Sequence, residues 1–170
     1  LGGYVDMLDE KLLIELQAYI EKHLIRLDLL LSEPAKYVYK DIQNNELEDF
    51  IKNKRKPTFN QLLFSFIDRK GVTDSDIYKK AGLDRRHFSK IRSNPDYRPG
   101  KSTAIALAIA LELNKKETGT LLSAAGYSLS DSDTFDLVIQ FCLEKKIYDL
   151  HTINQALDYF SLKPLAGVLE

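Results

Sequence analysis

The chain has 170 residues, 44% of them hydrophobic and 29% charged, a balance that excludes a disordered or membrane-embedded polypeptide and predicts a globular core. Its net charge of −1 conceals a partition: residues 1–51 carry −6 and residues 102–170 carry −4, while residues 52–101 hold fourteen bases against five acids, or +9. The longest apolar run, Ala104 to Leu111, is too short to cross a bilayer, and no basic-then-apolar leader opens the sequence, so a cytoplasmic location without a membrane partner is expected.

From Val5 to Leu31, apolar residues recur at Leu13, Leu16, Ile20, Leu24, Leu27 and Leu31, the three-four spacing of one helical face. That face can pack inside the chain, the commoner outcome, or against its copy in a homodimer. Ser32-Glu33-Pro34 stops this helix and starts a second, with Tyr37, Val38, Ile42, Leu47, Phe50 and Ile51 as its apolar set. The basic run Lys52 to Pro57 reads as a linker.

Thr58 is placed to cap a helix striped by Phe59, Leu62, Leu63, Phe66 and Ile67 and ended by Gly71. Thr73-Asp74-Ser75-Asp76 has the pattern of a capping box for a short helix closing at Ala81-Gly82. Asp84 caps the next helix, whose Phe88 and Ile91 point inward with Leu83, and the turn-rich Ser93 to Gly100 ends it. Ala104 to Leu111 is apolar on every side, so the helix beginning near Ser102 must be central. Lys116 to Ala125 gives a fifth helix, with Gly126 as its stop. Helices over about Ser132–Lys146 and Leu150–Phe160 then bring Phe135, Val138, Ile139, Cys142, Ile153, Leu157 and Phe160 as core.

Two short helices joined by the tight turn Gly82-Leu83-Asp84, held by a preceding helix and followed by an all-apolar one, are the parts of a helix-turn-helix. Their order and lengths from Thr58 to Tyr127, with Ile77 to Leu83 in the usual place, resemble the phage-repressor/Cro-like (XRE-type) family. The resemblance implies an all-α protein with a five-helix lambda-repressor-like helix-turn-helix domain at 57–130. Residues 1–56 supply an N-terminal helical pair and basic linker, and 131–168 two extra helices packing on the domain. It makes Arg85 to Arg92 the candidate recognition helix, to lie in a DNA major groove. Arg85, Arg86, Ser89 and Lys90 would then meet base edges, where arginine forms two parallel hydrogen bonds to guanine, while Lys79, Lys80, Arg92, Arg98 and Lys101 hold phosphates.

The expected function is a non-enzymatic, regulatory DNA-binding module. The alternative is a protein-interaction or accessory module built on a degenerate form of the same scaffold. Its discriminating residue is Tyr78, four before the turn glycine, where DNA-binding members of the family place a small residue. A closer resemblance over about Phe59 to Gly167, carried by Thr73–Lys80, Asp84–Ser93, Thr103–Leu113, Ala125–Ser130 and Ile153–Leu157, is to a helical module of bacterial proteins that often follows an ADP-ribose-binding macrodomain. It implies an accessory module and brings no catalytic residue with it.

Other chemistry finds no support in the spacing. His23, His87 and His151 lie far apart with no cysteine partners, so no metal or other cofactor is expected. Lone Cys142 sits in an apolar stretch, where a thiol is a small hydrophobe. Gly100-Lys101-Ser102-Thr103 imitates the end of a phosphate-binding loop, but Pro95 occupies the earlier glycine position and no strand precedes it; it reads as a helix cap. Acid pairs such as Asp131/Asp133 and Glu46/Glu48 read as solvated charge.

Overall fold

The computed structural model describes residues 10–24 and 43–165, which are helical apart from their connections and contain no strand. The chain divides into two compact units, Leu1–Arg55 and Lys56–Glu170. No helix among the described residues is long and apolar enough to cross a membrane.

In the first unit, residues 10–24 are helical and helix α1 spans Asn44–Lys54. Leu27, Leu31, Pro34, Tyr37, Val38 and Ile42 lie outside the described residues. One expectation is corrected here. Lys52, Asn53 and Lys54 are not linker but the last turn of α1, where lysines complement the negative end of the helix dipole; the chain leaves the helix at Arg55, whose backbone is extended. Leu13, Leu16, Ile20 and Leu24 on the helix over residues 10–24 are exposed.

The second unit holds α2 (Phe59–Lys70), α3 (Asp74–Lys80), α4 (Arg85–Ser93), α5 (Lys101–Ala110), α6 (Lys115–Ala124), α7 (Thr134–Glu144) and α8 (Leu150–Tyr159). The starts are specified locally. Thr58, Thr73 and Asn114 form reciprocal capping boxes with Gln61, Asp76 and Glu117, and Asp84, Asp133 and Asp149 cap α4, α7 and α8 singly. Hydrogen bonds from Thr73 hold the Asp76 carboxyl below its ordinary range.

Helix α5 is buried from Thr103 to Ala110 and packs on α3, α6 and α8; α2 lies against α6, α3 against α4, and α7 against α6 and α8. An amphipathic helix needs one neighbour, but one apolar all round must be enclosed, and its alanines let those neighbours approach closely. Leu63, Ile77, Ile91, Leu121, Leu122, Ile139, Ile153 and Leu157 complete the core. Cys142 is buried there, and burial pushes its thiol pKa up. Phe160 is not core, as its spacing suggested: it lies just beyond the last turn of α8 and is 53% exposed, while the chain turns back so that Leu165 is buried instead, its N–H donating to Asn154 Oδ1 at 2.8 Å. Phe135 and Val138 are half-buried.

Candidate nucleic-acid interface

The connection from α3 to α4 sets the direction of α4. Gly82 adopts φ +67, the left-handed conformation that lets a chain reverse without a side-chain clash, and Leu83 N–H donates back to the Tyr78 carbonyl at 2.8 Å. Leu83 is buried, and Asp84 accepts from the His87 N–H at 2.6 Å to start α4. From there Phe88 and Ile91 point into the core, which turns Arg85, Arg86, Ser89 and Lys90 outward.

Tyr78 is accommodated rather than displaced. It is half-buried, with its ring 5.7 Å from that of Phe88, which in turn meets Phe64 edge-on at 6.0 Å. The Arg92 guanidinium lies 4.1 Å from the Phe64 ring centroid, closing this aromatic column at the surface. Asn60 on α2 donates to the carbonyl of Ile91 and, at 3.4 Å, to that of Arg92, so a side chain of α2 satisfies carbonyls of the last turn of α4. Tyr97 steadies the same helix through its hydroxyl, 3.3 Å from His87 Nε2.

The nine basic and polar residues expected at an interface are not gathered into one surface. Arg85, Arg86, Ser89 and Lys90, joined by Ser93, line a single shallow depression along α4. No ion pair holds Arg85, Arg86 or Lys90 among the described residues. Arg92 instead makes two parallel hydrogen bonds to Asp74, at 2.6 and 2.8 Å, and this pairing raises its pKa further. Lys101 is directed inward, with Nζ 2.7 Å from Oδ2 of Asp136, a carboxylate only 1% exposed that also accepts the Ser130 N–H at 2.8 Å. Lys79 is exposed on α3, while Lys80 lines a separate groove with Glu112, Lys146 and Tyr148. Arg98 lines another with Lys56, Pro57 and Tyr97.

Placing Arg85 and Arg86 in the first turn of α4 has a cost, because the N-terminus of a helix is its positive end and prefers acids. Among the described residues no carboxylate forms an ion pair with either guanidinium. Among the described residues no group of three His, Cys, Asp or Glu side chains is placed to hold a metal ion. No protein-family model matches the chain, and neither a curated protein nor a solved structure matches it.

Proposed function

We propose that residues 57–130 form a helix-turn-helix domain of the five-helix lambda-repressor-like kind, and that the chain is a non-enzymatic, regulatory DNA-binding module with α4 as its recognition helix. The observation that carries this reading is the outer face of α4: three cations and two hydroxyls on one open surface, with no ion pair to an acid among the described residues, on a helix anchored through Phe88 and Ile91. Phosphates supply the negative charge that this positive helix end lacks, and base edges supply the paired acceptors that suit arginine. Arg92 and Lys101, tied to Asp74 and Asp136, leave the set of phosphate ligands, which reduces to Lys79 at the margin of α4 and to Lys80 and Arg98 in separate grooves, while Arg85, Arg86, Ser89 and Lys90 keep the base-edge role.

Two copies joined through the N-terminal helical region would present two such helices to successive major grooves, about 34 Å apart. The second reading, a docking surface for an acidic protein, is favoured by the small number of free cations. The two are separated by titrating a generic duplex at low and moderate salt. DNA binding predicts affinity that falls steeply with salt, and a loss of about tenfold or more in Arg85→Ala/Arg86→Ala with a correspondingly shallower salt slope. Affinity indifferent to both salt and the double substitution rejects the DNA reading.

A further inference from the structure

The first unit presents a different kind of unanswered surface. None of its described residues is buried, and ten large apolar side chains stand exposed: Leu12, Leu13, Ile14, Leu16, Tyr19, Ile20 and Leu24 on one helix, Leu47, Phe50 and Ile51 on α1. A helix of 11 residues such as α1 is marginal in water by itself and holds its form by covering one face. Leu47, Phe50 and Ile51 form that face, with Lys54 completing it through a contact to the Phe50 ring at 6.0 Å.

The charges of α1 are sorted along its length: Glu46, Glu48 and Asp49 in the first half, Lys52 and Lys54 in the second, followed by Arg55. A parallel copy would set like charges side by side at both ends; an antiparallel copy sets each acidic half along a basic one. Helical spacing puts Glu48 on the same flank as Lys52 and Arg55, the residues it would meet across an antiparallel pair, while Phe50 and Ile51 fall at the centre.

We propose that α1 pairs antiparallel with the α1 of a second copy of this chain, Phe50 and Ile51 packing across the twofold axis and Glu48 of each copy facing Lys52 and Arg55 of the other. Ten half-exposed side chains offer about 300–600 Å² per copy, or about 600–1,200 Å² for a pair, which reaches the low end of a specific interface only if the helix over 10–24 contributes. The proposal rests on pairing through the N-terminal region and is independent of DNA binding.

The full chain tests it by sedimentation equilibrium without DNA. A concentration-dependent dimer is expected, with Phe50→Asp/Ile51→Asp reducing association by more than about a hundredfold while the circular dichroism of the second unit's helices persists. Glu48→Lys should weaken the dimer about five- to tenfold and Glu48→Lys/Lys52→Glu restore it, because the swap recreates the Glu–Lys pair between antiparallel copies as well as the pair one turn apart within α1. A chain monomeric at every concentration, or a dimer indifferent to Phe50→Asp/Ile51→Asp, overturns the proposal. A charge swap that fails to restore association overturns the antiparallel orientation. A wild-type chain that dimerises but binds no duplex would sink the recognition-helix reading and leave this one standing.

Discussion

The outer face of α4 and the junction between α5 and α7 both drew their cations from the same basic block of sequence, yet the fold uses them in opposite ways. At the junction, Lys101 meets a buried carboxylate and fastens α7 to the start of α5. On α4, Arg85 and Arg86 meet none among the described residues and sit at the end of the helix where cations are least welcome. Arg92 lies between these extremes, bound to Asp74 and stacked on Phe64 while still about half exposed. A block of charge counted along a chain therefore says little about which charges are available to a partner. Availability is decided by whether an acid from a distant element reaches them.

That ordering gives a series of stability measurements. The largest loss is expected for Lys101→Ala, about 3 kcal/mol, because it leaves Asp136 buried with the Ser130 N–H as its remaining partner. Urea unfolding measures it, and a loss under about 1 kcal/mol would show Lys101 to be a surface cation after all. Asn60→Ala comes next, at about 1–2 kcal/mol, since it removes the donor to the α4 carbonyls. Arg92→Ala should cost about 1 kcal/mol, partly recovered in high salt by wild type and variant becoming more alike. Smallest is Arg85→Ala/Arg86→Ala, expected to leave stability within about 0.5 kcal/mol or raise it slightly as the charge at the helix N-terminus is relieved. A clear loss from that last variant would place those arginines among the structural cations and erase the contrast.

Much of this arrangement is legible from local pattern. The caps at Thr58, Thr73 and Asp84, the inward pair Phe88 and Ile91, and the wholly apolar run in α5 are set by neighbours within one or two helical turns, and spacing reports such neighbours faithfully. Contacts that bridge distant segments are not written in spacing. Asp74 with Arg92, Asp136 with Lys101 and Asn60 with the end of α4 join residues 18, 35 and 31–32 positions apart. The same limit explains Phe160, which continues the apolar rhythm of α8 but falls past its end, where periodicity no longer predicts direction. Tyr78 shows how packing adapts: a bulky side chain between two short helices found room by lying against Phe88.

Backbone amide NMR with a short duplex tests the role proposed for the outer face of α4 most directly. Added DNA should shift the amides of Arg85, Arg86, Ser89, Lys90 and Ser93 most, with Lys79 at the margin and α8 unmoved. Shifts absent from α4, or concentrated elsewhere such as around the exposed Leu137 and Phe141 of α7, would contradict it.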